Sequence, residues 1–309
     1  MSFFLIVFFI SCASAPRASF LGEETGQEIS QLPAGARVYL WADTVQARPL
    51  LDILSFDGIS GKDVAPVLDS TTSATAAIFP DGASRRFFLM ALGTYPRIRA
   101  NISMTFSKGW QKQKSIDGSS FWYSEENDIA VALGPKLALV SNTDPFEDFE
   151  VEVPPRGFIE FSRSMALAAW MNDPSTSINN FMDSMGIPLQ VPAEDFFFGV
   201  EKKPQAQVSL SNVSTHNDSP AAWELVFRIR TSSDTQARSL LTLFSLARLF
   251  ALRGINANES TYPLSPQGAA ALLFANMPEQ DGESLILRTG PLHEAGIALL
   301  FDMFLLYSN

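Results

Sequence analysis

Cys12 is the one thiol in 309 residues, and His216 and His293 are the two imidazoles. These side chains are suited to nucleophilic, general-base or metal chemistry near neutral pH, and their spacing decides what remains open to them. A single cysteine forms no intramolecular disulfide, and no Cys/His set has the spacing of a zinc site. His293 and Glu294 adjoin, but neighbours on a helix point about 100° apart and do not face each other. In "DGISGKD" (57–63) the Gly-Lys pair has the wrong glycine spacing for a P-loop, and Asp63 stands where Ser or Thr would follow the lysine. Neither G-x-S-x-G nor H-E-x-x-H occurs. The acidic stretch "DPFEDFEVEVPPRG" (144–157) lacks the alternating ligands and central glycine of an EF-hand and reads as a solvated linker. No catalytic site, metal or cofactor is expected.

What remains is modification of Cys12, which closes the apolar run of "FFLIVFFISCASAP" (3–16). A membrane-spanning helix needs roughly 20 residues, so this run is short for a span and suits the apolar region of an export signal. Three readings compete: a buried first element, a conventional signal cut after Ala15, and a signal ending at an acylated Cys12. Pro16 directly past Ala15 weighs against the second, because its ring and missing N–H obstruct a protease. The stretch "ASAPRASFLGEETGQEISQLPAG" reads as a tether, which weighs against the first. The third is the expectation: residues 1–12 as a lipoprotein signal and 13–35 as a flexible tether. "FISC" resembles the relaxed processing site of spirochaete lipoproteins, with Ser11 and Ile10 in place and Phe9 where leucine is usual.

Composition narrows the partners. Hydrophobic residues make up 46% of the chain and charged ones 18%, with a net charge of -11, so a large core is available and nucleic acid is disfavoured. The densest basic stretch, "KGWQKQK" (108–114), reads as a solvated strand edge.

The elements that follow alternate strands with helices. "RVYLWADT" reads as a strand, "ARPLLDILSF" and "KDVAPVLDS" as helices, and "ATAAIFP" with "RRFFLMALGTYP" as a hairpin around "DGAS". "RIRANISMTFSKG" reads as a helix stopped by Gly109, and "FWYSEENDIAVALGPKLALVSNT" as two or three strands. A similar order recurs beyond 157. "GFIEFSRS" reads as a strand, "ALAAWMND" and "STSINNFMDSMG" as helices, and "QAQVSLSNVS", "AWELVFRIRTS", "AAALLFANMP" and "ESLILRTG" as strands. The expected class is α+β, in two similar halves at 36–152 and 153–309. Each is an antiparallel sheet with helices on one face, consistent with internal duplication.

Two helices carry more apolar surface than a one-sided helix buries. In 234–253, Ala237, Leu240, Leu241, Phe244, Ala247 and Ala251 form one face, and Leu243, Leu246 and Phe250 widen it beyond the usual stripe. The terminal segment "PLHEAGIALLFDMFLLYS" has Asp302 as its polar interruption among residues that include Phe301 and Phe304. Both helices read either as clamped core or as lipid-facing elements. Leu240, Leu243, Phe244, Phe250, Phe301 and Phe304 are the candidate lipid contacts.

A signal ending in cysteine, a Cys-free body and two α/β halves with over-apolar helices resemble treponemal outer-membrane lipoproteins of the concealed, periplasm-facing type. The phrases "ALGTYP", "FSKGW" and "FWYSEENDIAVAL" carry the resemblance. It implies a non-catalytic protein, anchored by the palmitate-type acyl chains of Cys12, whose amphipathic helices insert in the inner leaflet of the outer membrane. Membrane lipid is the implied partner, with a protein partner at a sheet edge as a further expectation. The alternative is an exported scaffold whose apolar helices are ordinary core.

Overall fold

A computed structural model describes residues 31–203 apart from 54, 57–58, 61–64, 80–85, 152, 156, 173, 177 and 180–189, and then 222–254, 276–294 and 296–297. Within it the chain divides into two compact units, Met1–Arg163 and Ser164–Asn309. The class is α+β with antiparallel sheet.

In the first unit the chain is held from Leu32, which is fully buried. Pro33 bridges to Val151, and the Ala34 N–H donates to the Glu150 carbonyl at 2.7 Å. Tyr39, buried beneath this contact, donates its hydroxyl to the Pro33 carbonyl and accepts the Ala36 N–H, each at 3.0 Å. The last residues of the expected tether, 31–35, are therefore docked; Cys12 and residues 13–30 lie outside the described residues. The acidic stretch at 144–157 departs from a simple solvated linker. Phe149 packs edge-on against Phe88 at 5.4 Å, and Val151 forms the bridge to Pro33. The few apolar residues of this stretch dock it, although carboxylates dominate its composition.

Strand β1 (Val38–Asp43) runs into α1 (Thr44–Leu51), whose first N–H groups, on Val45 and Gln46, donate to the Asp43 carboxylate. That cap starts the helix upstream of the expected "ARPLLDILSF", so Pro49 falls in the second turn rather than the first. A short hairpin, β2 (Ser55–Phe56) with β3 (Ile59–Ser60), precedes a single turn, α2 (Ala65–Leu68). Strands β4 (Thr71–Ile78) and β5 (Phe87–Gly93) pair as the expected hairpin. Helix α3 (Arg97–Phe106) leads to a meander of β6 (Trp110–Lys114), β7 (Ser120–Ser124), β8 (Ile129–Leu133) and β9 (Leu137–Ser141). The sheet order is β1-β4-β5-β9-β8-β7-β6.

The β4–β5 pairing is tight where its register shifts, at Thr71/Ser73. A Cβ at Gly93 would lie 1.9 Å from the Ser70 carbonyl oxygen, and backbone there has no flexible end to yield. Gly93→Ala is expected to cost about 2–3 kcal/mol, seen as a lowered denaturation midpoint. An unchanged midpoint would contradict the close approach.

The expected strand "GFIEFSRS" is instead a helix, α4 (Phe158–Arg163). Phe158 and Phe161, three residues apart, are both buried and stack at 6.5 Å, the spacing of a helix face.

The second unit reverses another expectation. "ALAAWMND", rich in alanine, contains strand β10 (Leu167–Met171), in which Ala168 and Trp170 are buried and alternate with half-buried neighbours. Cross-strand pairing overrides helix propensity here. Strand β11 (Asp195–Lys203) escapes a reading of the sequence, because "DFFFG" puts aromatic residues on both faces and hides the alternation. β12 (Ala222–Arg230), helix α5 (Asp234–Gly254), β13 (Glu279–Asp281) and β14 (Ser284–Arg288) complete the order β13-β14-β12-β11-β10. Both units share one winding. Three strands lie side by side in sequence order, a helix follows, and the last strand returns beside the third with its predecessor outside.

Candidate functional site

Helix α5 positions the predicted lipid-contact residues. Ser233 caps it: its hydroxyl accepts the Gln236 N–H at 3.3 Å and its carbonyl accepts the Ala237 N–H at 3.1 Å. Asp234 in the first turn suits the positive end of the helix dipole. Ala237, Leu240 and Phe244 are buried, and the last two join Phe196, Ile229 and Leu285 in the core beneath the helix. Leu240 and Phe244 are 1% and 2% exposed, so in this packing they face the sheet and not the surface.

The opposite side of the helix changes character along its length. Thr235, Arg238, Ser239 and Thr242 are exposed on the first turns, and Leu243, Leu246 and Leu249 are 40%, 48% and 49% exposed on the later ones. At about 100° per residue, Leu246 points about 150° away from the mean direction of the three buried residues. The hydroxyls of Ser239, Thr242 and Ser245 donate to the carbonyls four residues back, at 3.0, 3.0 and 2.7 Å. Their donors are thus satisfied within the helix, which lowers their demand for water. The outcome is a leucine stripe about 9 Å long at a rise of 1.5 Å per residue, bordered by self-satisfied hydroxyls.

Of the residues named from sequence, Leu243 lies in this stripe while Leu240 and Phe244 lie in the core. The side chain of Phe250, and Phe301 and Phe304, fall outside the described residues. Leu249 joins the stripe without having been among the sequence candidates. Its signal is the i, i+3, i+6 spacing from Leu243, which is the face opposite Phe244. In the terminal segment, Ile297 is buried and its N–H donates to the His293 carbonyl at 3.1 Å. His216 lies outside the described residues, and Glu125 and Glu126 are exposed in the turn after β7.

The far face of the second sheet carries charge. Glu201 and Glu224 sit directly opposite each other in the β11–β12 register. Lys203 bridges them at 2.9 Å to each, and Arg288 does so from β14 at 3.0 and 3.1 Å. Burial works to raise the Glu201 pKa, but hydrogen bonds and charge from Lys203 and Arg288 outweigh it and hold the group below its ordinary value. Burial likewise works to lower Lys203 and Arg288, and the two carboxylates outweigh it and raise both. The stabilisation linked to Glu201 is present above the unfolded carboxylate pKa and fades as pH falls through the depressed folded value. Each ion is matched by a partner of opposite sign, so this neutral tetrad is structural cross-strand pairing.

Among the described residues no group of three or more His, Cys, Asp or Glu is placed to hold a metal ion. Among them also, no helix is long and apolar enough to cross a membrane, which leaves strand-borne spanning unaddressed.

No family model matches the chain. It resembles a treponemal outer-membrane protein: over 98 residues it is 29% identical to "Outer membrane protein TP0453" of Treponema pallidum (strain Nichols). That match covers 32% of this chain and 33% of the relative, so it spans about a third of the curated protein's length. The fold likeness is broader. Crystal form III of TP0453 superposes with a TM-score of 0.55 at 17% identity, covering 89% of this chain and 97% of that one. Crystal form I gives 0.51 at 16% identity, covering 88% and 95%.

Proposed function

We propose that this chain is a non-catalytic, exported lipoprotein of the outer membrane, facing the periplasm, anchored through Cys12 and contacting lipid through its amphipathic helices. The exposed Leu243–Leu246–Leu249 stripe on α5 is the observation that carries the reading. A helix serving only as core would present polar residues on that side. The likeness to an outer-membrane protein supports the compartment. In this reading residues 1–12 are the signal and 13–35 the tether, whose last residues, 31–35, dock on the first unit; the expected halves 36–152 and 153–309 part in the structure at Arg163, and their shared winding came from duplication.

The acyl chains supply most of the attachment, and the leucine stripe adjusts depth in the leaflet. Replacing Leu243, Leu246 and Leu249 together by Gln is expected to lower flotation of the unacylated chain with phospholipid vesicles more than tenfold. Each leucine contributes about 1 kcal/mol when its exposed part enters an apolar phase. The melting temperature should change little, because all three are already exposed. Unaltered flotation would favour the scaffold alternative.

A further inference from the structure

Between Gly82 and Ile116 the chain carries seven of its 22 Lys and Arg and none of its 33 Asp and Glu, within a protein of net charge -11. The segment includes α3 and β6; Arg86 within it pairs with Glu147 at 3.4 Å, and Lys108, Lys112 and Lys114 are exposed beside apolar surface. Met104, on the inner side of α3, packs with Trp122 and Val131, and Asn101 accepts the Trp122 indole N–H at 2.7 Å. On the outer side Ile102 is 50% exposed and Phe106, one turn further, 83%. Gly109, at φ +94°, turns the chain directly into β6. Trp110 packs into the Met104 cluster, so Lys112 and Lys114, at even spacing from it, stand on the α3 side of the strand. Both are exposed, as is Lys108 at the end of the helix, and β6 is the terminal strand of its sheet order. The Glu126 side chain also approaches, 3.5 Å from where a Cβ at Gly109 would be, and Asp117 lies in the turn that follows β6.

Lysines alone would be ordinary protection of a sheet edge against pairing. Edge protection does not account for a phenylalanine and an isoleucine exposed on the adjoining helix. We infer that the outer side of α3 and the β6 edge form a docking surface for anionic lipid headgroups. Lys108, Lys112 and Lys114 meet the phosphates, and Phe106 and Ile102 enter the headgroup–acyl boundary. Charge complementarity selects this occupant: a basic amphipathic face holds to an anionic bilayer by electrostatic attraction and apolar burial together. The inference rests on the reading that the body meets lipid, and it adds a second surface and a headgroup class.

The test is flotation of the full unacylated chain with vesicles of phosphatidylcholine alone and of phosphatidylcholine with phosphatidylglycerol. The unaltered chain should prefer the anionic vesicles, and raising salt from about 0.1 to about 1 M, which shortens the screening length from about 10 to 3 Å, should erase the preference. Each of K108Q, K112Q and K114Q should lower anionic-vesicle binding about fivefold and leave neutral-vesicle binding unchanged. Phe106→Ser should weaken binding to both. The Leu243/Leu246/Leu249 variant should weaken both while keeping the anionic-to-neutral ratio. Equal binding of the unaltered chain to the two vesicle types, or a preference surviving the three lysine substitutions together, overturns the inference. Binding to anionic vesicles alone, indifferent to the leucine variant, overturns the α5 reading and leaves this one standing.

Discussion

Cys12→Ala is expected to abolish incorporation of radiolabelled palmitate and to release the chain from the membrane fraction. The substitution is chemically clean, because Cys12 is the only thiol in the sequence and no second cysteine can take the acyl chains. Each CH₂ buried in a bilayer contributes about 0.8 kcal/mol, and one acyl chain alone gives marginal attachment, whereas two or more give stable anchoring. Under the proposed anchoring, loss of the cysteine removes the main source of membrane attachment. On the same proposal the weaker, reversible contact of the helices is left, and it should survive as vesicle flotation at high lipid. Labelling that persists in the variant would reject acylation at this residue.

The second large effect is on stability and separates the two sides of α5. Phe244→Ala should cost about 3–5 kcal/mol, because the ring lies 2% exposed among Phe196, Ile229, Leu240 and Leu285 and its removal leaves a cavity. For a unit of this size that lowers the melting temperature by roughly 10 °C. Leu246→Ala, two residues on and facing outward, should stay within about 0.5 kcal/mol. Thermal denaturation followed by circular dichroism reads both. Comparable losses at the two positions would show that the helix is rotated from this orientation.

Individual elements show why part of the fold is legible in the sequence. "RVYLWADT" and "AWELVFRIRTS", rich in β-branched and aromatic residues, form β1 and β12, and residues of the same types in "FWYSEENDIAVAL" form β7 and β8. The basic stretch at 108–114 does lie on a strand edge, since β6 ends its sheet order. Short segments mislead where local preference and tertiary demand part. Ala168 and Ala169 favour helix by themselves, yet they lie in β10 because β11 supplies their hydrogen-bonding partners. Phe158 and Phe161 suggest a strand within "GFIEF" and are in fact one helical face.

The candidate surface divides the same way. Periodicity alone establishes that 234–254 is a helix carrying more apolar residues than one face can bury, since helix geometry repeats every 3.6 residues whatever the surroundings. The sequence also establishes that 82–116 carries seven cations and no acid, and that Cys12 stands directly behind an apolar run. Which apolar residues are surplus depends on the angle at which the helix meets the sheet. That angle is set by side chains distant in sequence, Phe196 on β11, Ile229 on β12 and Leu285 on β14. Only their packing turns Leu240 and Phe244 inward and leaves Leu243, Leu246 and Leu249 outside.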